Sequence, residues 1–132
     1  MDQEPLVIQE TDAGAELVRL LDRFVPVKAA FWIKESEEEP WYLYIASDRI
    51  DDRNPDAAYG EVLRLASQMA NPYLDPFRVK LIPTSDPLAR AVQDIHRRYP
   101  GTMATRFGGK VFGGIGVDGV YIYPDVLTAS SP

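Results

Sequence analysis

Residues 27–47 are VKAAFWIKESEEEPWYLYIAS, two apolar runs separated by a charged tip. Both runs, 27–34 and 41–47, are rich in aromatic and β-branched residues, which favour extended backbone. The tip between them, 35–40, contains four glutamates and ends in a proline. We therefore predict a β-hairpin with a long charged loop.

Helical periodicity precedes this hairpin. Apolar residues recur at spacings of three and four after Thr11 and Asp12, either of which can cap a helix, and Pro26 ends the pattern. We expect the first helix to begin near Thr11 or Asp12. In the short segment before this helix we predict an edge strand over 6–9.

Two further helices begin with cap signals after the hairpin. Asn54 and Pro55 suit the N-cap and first helical position of the second helix, and Asp86 and Pro87 suit those of the third. A strand over 77–82 lies between these helices. We expect the strands that the two helices connect to lie parallel, with right-handed crossovers.

Glycines dominate the pattern of the last third of the chain. Asp118-Gly119 between apolar runs is typical of a tight hairpin turn, because a type I′ turn needs positive φ at both central residues. Gly113-Gly114 inside an apolar run indicates a bulge or bend. We predict a Gly-rich β-meander of three short strands, over 102–107, 110–117 and 120–123.

These elements follow the order α-β-β-α-β-α-β-β-β, which predicts the α+β class. We expect a single domain over 1–126 with a mixed β-sheet, three helices mainly on one face and the Gly-rich meander at its C-terminal end. A flexible tail follows over 127–132. A chain of 132 residues is long enough to bury a core without disulfides or metals.

Composition narrows the classes of function. The chain has no cysteine, which excludes disulfides and thiolate metal sites and fits a reducing compartment. Its net charge is −6, from 14 Lys and Arg against 20 Asp and Glu, so duplex nucleic acid and anionic membranes are disfavoured partners. The acidic N-terminus lacks the basic region of a signal peptide, and no apolar run reaches the roughly 18 residues of a membrane span. We expect a cytoplasmic protein that needs no cofactor.

The aromatic pattern predicts an interface. Five rings alternate along their strands so that they lie opposite the most apolar residues: Trp32, Tyr42, Tyr44, Tyr121 and Tyr123. If the helices cover only one side of the sheet, these amphipathic rings are available to another molecule. The resulting hypothesis is a non-catalytic interaction or accessory module, such as a homodimer. Burial within the monomer is the alternative, because three helices can be shared between two faces.

An aspartate cluster supports the alternative of an enzyme. Asp48, Asp51 and Asp52 follow a strand that leads into a helix, and Asp56 is a further candidate. Carboxylates at that end of a strand can bind Mg²⁺ or Mn²⁺, which would give a metal-dependent hydrolase or phosphate-transfer enzyme. Two interleaved arginines offset the negative charge, and a solvated loop is the favoured interpretation.

A third hypothesis is a site for a small anionic ligand. Arg106 and Lys110 flank a pair of glycines, and a glycine-rich turn with two cations can form an anion nest. A related possibility is a small-molecule pocket lined by Trp32, Trp41 and Tyr59, with Arg106 binding an anionic group of the ligand.

Three other motifs favour structural interpretations. Residues 114–119 match G-x-G-x-x-G, but a strand follows them, so no helix N-terminus is available for a phosphate. His96, the single histidine, lies at the edge of an apolar helix face. The glutamates of the hairpin tip limit edge-to-edge association. The sequence as a whole favours an interaction protein over an enzyme.

Overall fold

Three α-helices and a five-stranded sheet make up the described part of the chain. The computed structural model describes residues 6–50, 56–99 and 105–124, with the backbone alone for 105–110. The predicted α+β class and mixed sheet are confirmed. In chain order the elements are α1 (Ile8–Leu21), β1 (Ala29–Lys34), β2 (Trp41–Ser47), α2 (Asp56–Met69), a 3₁₀ turn (Pro76–Arg78), β3 (Val79–Pro83), α3 (Pro87–Arg98), β4 (Thr105–Phe112) and β5 (Ile115–Ile122).

The predicted hairpin forms the centre of the sheet, whose strand order is β3-β2-β1-β5-β4. β1 and β2 pair antiparallel, with Trp32 opposite Leu43, so the hairpin prediction is confirmed. β3 runs parallel to β2, to which α2 connects it, and β5 runs antiparallel to β1. Every residue of β1 is buried, because this central strand is covered on both faces.

The helices are divided between the two faces. α1 and α2 cover one face, whose core includes Leu17, Val62, Trp32 and Leu43. α3 covers the opposite face, whose core includes Leu88, Val92, Phe31 and Val120. Two of the three helices therefore share a face, and the third closes the other side of the central strands.

The first helix starts earlier than the sequence predicts. α1 begins at Ile8, so the edge strand expected over 6–9 is wrong. The Glu10 carboxylate accepts a hydrogen bond from the Val7 backbone N–H at 3.1 Å, which satisfies one of the exposed donors at this end. Thr11, expected as the cap, lies within the first turn instead and donates its hydroxyl to the Ile8 carbonyl at 3.0 Å.

The start of the third helix follows its predicted cap. The Asp86 carboxylate accepts from the Leu88 N–H at 2.9 Å, and Pro87 is the first helical residue. α2 is present where it is predicted, while its predicted cap residues Asn54 and Pro55 lie outside the described residues.

The C-terminal strands are longer and fewer than predicted. β4 and β5 form one antiparallel hairpin, and Asp118-Gly119 lies inside β5 rather than in a turn. The turn is Gly113-Gly114, where φ is +58° and +87°. Two successive positive φ values are the requirement of a type I′ turn, and two glycines meet it without steric cost.

The strands that α3 connects, β3 and β4, lie at opposite edges of the sheet. Following the pairings from β3 through β2, β1 and β5 makes β4 antiparallel to β3. The expectation that both helical connections join parallel strands is therefore wrong for α3 and correct for α2.

No helix in the described ranges is both long enough and apolar enough to span a membrane. The longest, α1 and α2, have 14 residues each. The tail predicted over 127–132 lies outside the described residues.

Candidate interaction surface

Two of the predicted interface rings form an internal link between the sheet and α1. Trp32 and Tyr123 are each 4% exposed. The Trp32 indole N–H donates to the Tyr123 hydroxyl at 2.9 Å, and that hydroxyl donates to the Thr11 carbonyl at 2.6 Å. Both rings can be buried within the chain because their polar atoms form hydrogen bonds there.

A third predicted ring is buried on the opposite face. Tyr44 is 5% exposed and stacks on Phe31, with ring centroids 5.4 Å apart. Its hydroxyl donates to the Glu35 carboxylate at 3.1 Å. Burial, and then the neighbouring Glu35 carboxylate, raise the pKa of Tyr44, and burial also raises the pKa of Tyr123.

These raised tyrosine pKa values predict a loss of stability at alkaline pH. Because the pKa of Tyr44 is higher in the folded chain than its ordinary value of 10.0, the stabilisation is complete below pH 10 and is lost as the pH rises above it. We expect the urea midpoint of the wild type to fall between about pH 10 and 11. The Tyr44→Phe variant should lose less stability over this interval, and parallel losses in the two proteins would contradict the prediction.

The remaining two rings are half-buried and lie on different faces. Tyr42 packs beside the core under α3, where the Lys80 ammonium lies 4.5 Å from its ring centroid. Tyr121 packs against the core under α1 and α2 and contacts Tyr123 edge-on at 5.3 Å. The five predicted rings therefore do not form one open surface, because helices cover both faces.

The predicted aspartate site is described only in part. Asp48 is exposed at the end of β2 and accepts a hydrogen bond from the Thr84 hydroxyl at 2.6 Å. Asp56 is exposed in the first turn of α2, while Asp51 and Asp52 lie outside the described residues. Within the described ranges no three carboxylate or histidine side chains converge in a way that could hold a metal ion.

The anion nest predicted beside Arg106 and Lys110 lacks its turn. Both residues belong to β4, and so do the two glycines between them, Gly108 and Gly109. A nest needs successive N–H groups that converge in a turn, whereas an extended strand directs them alternately to either side.

The predicted ligand pocket is occupied by core packing. Trp32 is buried, and Trp41 packs so closely over Gly119 that an added Cβ there would lie 2.7 Å from the indole Cη2. Tyr59 accepts a hydrogen bond from the Leu81 N–H at 2.9 Å and lines a different, open groove. The three aromatic residues therefore do not enclose a common cavity.

His96 and the hairpin tip have structural partners. The His96 Nε2 lies 3.0 Å from the Tyr123 carbonyl oxygen, which links α3 to the end of β5. At the tip, the buried Lys34 ammonium donates to the Glu37 and Glu39 carbonyls and orders the loop. The glutamate side chains of the tip are exposed.

A surface that the sequence analysis did not single out is centred on Phe77. This side chain is 82% exposed, the most exposed of the large apolar residues in the described part of the chain. It lies beside an open groove of about 370 Å³ between α2 and the 3₁₀ turn. The groove is lined by Tyr59, Val62, Leu63, Pro76, Phe77, Val79 and Lys80. We name these residues, together with the flanking Asp75 and Arg78, the Phe77 surface.

The backbone that carries Phe77 is tightly fixed. The Asp75 carboxylate accepts from the Phe77 N–H at 2.9 Å, and the Arg78 N–H donates to the Asp75 carbonyl at 3.0 Å. Pro76 restricts φ in the same turn, and Val79 after it is buried. The exposed phenyl ring therefore projects from a rigid turn and has little backbone entropy to lose when it is covered.

The Phe77 surface carries charges of both signs. Asp75 and Arg78 are 3.6 Å apart, and their side chains are 50% and 41% exposed. Lys80 also borders the groove, but its ammonium lies over the Tyr42 ring on the α3 side of the sheet, so Arg78 is the cation of this surface. The apolar centre is thus surrounded by polar and charged groups, the usual composition of a protein interface.

Strand addition at the adjacent sheet edge is blocked. Along β3, the N–H groups of alternate residues point away from β2. The Val79 N–H donates to the Pro76 carbonyl and the Leu81 N–H to the Tyr59 hydroxyl, while Pro83 has no N–H. A partner on the Phe77 surface therefore does not extend the sheet at this edge.

Comparison of the chain with protein-family models, with curated proteins and with solved structures finds no match.

Proposed function

We propose that this chain is a non-catalytic protein-interaction module that forms a homodimer through the Phe77 surface. The observation that carries the proposal is a phenyl ring that is 82% exposed on a rigid turn beside an apolar groove. Buried aromatic residues that fill pockets contribute most of the binding energy in protein interfaces. The cysteine-free composition fits a cytoplasmic location for this module.

A second copy of the chain is the partner that suits this surface. In a two-fold symmetric dimer each subunit contributes the same patch, so the patch must be complementary to itself. The Phe77 surface contains both a projecting ring and a groove. A two-fold axis beside Phe77 would bring each ring to the groove of the other subunit.

The charges support the same arrangement. A surface with a single sign of charge would repel its own copy, whereas this one has Asp75 next to Arg78. An antiparallel approach about a two-fold axis can place the Asp75 carboxylate of each subunit near Arg78 of the other, which favours the correct register.

Sedimentation velocity at micromolar concentrations tests the proposal. We expect the wild type to sediment as a dimer and Phe77→Ser to raise the dissociation constant about 30-fold, the effect of losing about 2 kcal/mol at an interface hot spot. The urea midpoint of the dilute monomer should not change, because the ring is exposed in the monomer.

The matched control is Tyr99→Ser. Tyr99 is 73% exposed and follows α3, on the face opposite α2. We expect this variant to dimerise like the wild type. A wild type that remains monomeric, or an equal loss of dimer in both variants, would overturn the proposal.

A further inference from the structure

A second open groove, with a volume of about 300 Å³, lies between α1 and α2. We name it the α1–α2 groove. It is lined by Leu20, Arg23, Phe24, Glu61, Arg64, Leu65 and Gln68. None of these residues belongs to the Phe77 surface, so the two surfaces are distinct.

The floor of the α1–α2 groove is apolar. Leu65 is 5% exposed, and the half-buried Leu20 packs against the same core under α1 and α2. Beside them, the Phe24 side chain is 47% exposed. Covering this ring and the floor with an apolar side chain removes apolar surface from water, which favours binding.

The backbone that carries Arg23 and Phe24 is ordered. The Phe24 N–H donates to the Leu21 carbonyl at 2.8 Å and continues the last turn of α1. The Asp22 carboxylate accepts from the Val27 N–H at 2.7 Å and closes the loop that leads to β1. The two side chains therefore project from a fixed segment, which lowers the entropic cost of binding a partner.

An oriented guanidinium lies on the other side of the groove. Arg64 donates through Nε to the Glu61 carboxylate at 3.0 Å and through Nη2 to the second carboxylate oxygen. The Glu61 side chain is 15% exposed, whereas that of Arg64 is 53% exposed. The bidentate pair orients the guanidinium, and N–H groups that Glu61 does not use remain on it.

The groove is locally positive. Arg23 is exposed and adds a second cation, and Glu61 is the one acid among the lining residues. Two cations against one acid give the groove a positive charge in a chain whose net charge is −6. A guanidinium binds carboxylates in a planar, bidentate geometry, so the charge and the donors of this groove both suit an acidic partner.

We propose that the α1–α2 groove binds a short segment of a partner protein in which an apolar side chain lies next to carboxylates. The apolar side chain covers Phe24 and the floor, and the carboxylates pair with Arg23 and Arg64. This inference does not depend on dimer formation, because the Phe77 surface shares no residue with the groove.

The probe is a fluorescein-labelled peptide of sequence Glu-Glu-Leu-Phe-Glu-Glu, with fluorescence anisotropy as the measurement. We expect saturable binding of equal affinity to the wild type and to Phe77→Ser. Backbone amide NMR shifts should change most within 20–24 and 61–68. Arg23→Gln should weaken binding about five-fold and Phe24→Ser about ten-fold.

Matched controls separate the groove from general charge or apolar attraction. Arg90→Gln removes an exposed arginine on α3, and Tyr99→Ser removes an exposed ring after it, both on the other face of the sheet. Each should leave the affinity within about two-fold of the wild type. A peptide with serine in place of leucine and phenylalanine, and one with glutamine in place of glutamate, should both bind weakly.

Four results would overturn the inference. These are equal weakening by Arg23→Gln and Arg90→Gln, unchanged binding of the serine peptide, shift changes centred outside the groove, and loss of binding in Phe77→Ser. Tighter binding of an oligothymidylate of the same charge would assign the groove to single-stranded nucleic acid and would also overturn it. Urea unfolding establishes that the variants are folded, and Arg23→Gln alone decides the test if Phe24→Ser is not.

Discussion

Replacement of Gly14 by alanine is expected to lower the free energy of unfolding by about 2–3 kcal/mol. Alanine is ordinarily the better helix former by about 1 kcal/mol, so the expected sign is opposite to that of helix propensity. A Cβ at this position in α1 would lie 2.5 Å from the Tyr123 hydroxyl and 3.0 Å from Cζ2 of Trp32. Urea unfolding of the two proteins measures the difference.

The rings that meet this Cβ cannot move away easily. The Tyr123 hydroxyl is held between the Trp32 indole and the Thr11 carbonyl, and both rings are almost completely buried. Moving either ring breaks a buried hydrogen bond, and each unsatisfied group costs about 1–3 kcal/mol. Gly14 is therefore what permits α1 to approach the sheet.

Gly60→Ala is the matched control for Gly14→Ala. Gly60 lies in α2, is exposed, and would have no atom within 4 Å of an added Cβ. Here helix propensity acts alone, and we expect a gain of about 0.5–1 kcal/mol. Equal effects of the two substitutions would show that the close contact at Gly14 has no energetic consequence.

Local elements could be predicted because their signals are local. The hairpin of 27–47 follows from two strand-forming runs and a polar tip, and the start of α3 follows from Asp86 and Pro87. The turn at Gly113-Gly114 was misplaced because Asp-Gly and Gly-Gly satisfy the same positive-φ requirement. Only the pairing of β4 with β5 distinguishes them, and that pairing is not local.

Which faces of the sheet the helices cover could not be predicted from the alternation of aromatic and apolar residues alone. Tyrosine and tryptophan alternate with apolar residues both on open faces and in cores where their polar atoms are paired. The pairing of Trp32 with Tyr123 joins residues 91 positions apart, which no local pattern indicates. One available signal was overlooked: residues 29–33 are apolar without interruption, which is typical of a strand buried on both faces.

The Phe77 surface was missed for a related reason. Phe77 was expected to begin a strand, where an aromatic residue is usual, whereas the preceding Asp75 and Pro76 form a capped 3₁₀ turn before the strand starts. An aspartate followed by proline and an aromatic residue can equally begin a helix or a turn. The exposure of the Phe77 ring depends on where α2 packs, and the local sequence around Phe77 does not indicate that position.

Replacement of Phe31 by alanine is expected to have the largest effect on stability, a loss of about 3–5 kcal/mol. Phe31 is fully buried in the central strand, stacked on Tyr44 and in edge contact with Phe112. Removal of its ring would leave a cavity between α3 and the sheet. Since domains of this size are stable by only about 5–15 kcal/mol, a large part of the urea transition should be lost. Phe31→Leu, which retains most of the volume, should cost less than about 1.5 kcal/mol and remains measurable if the alanine variant does not fold.

The same substitution at Phe77 separates structural from functional use of an aromatic residue. Phe77→Ala removes a ring that is 82% exposed, so the free energy of unfolding of the monomer should change by less than about 0.5 kcal/mol. Unfolding is compared below the dimer dissociation constant, because association stabilises the folded state by mass action. If Phe77→Ala destabilises the dilute monomer as much as Phe31→Ala does, its ring contributes to the fold and the interface proposal fails. If Phe77→Ala leaves the stability of the monomer unchanged and abolishes the dimer, the ring contributes to association and not to folding.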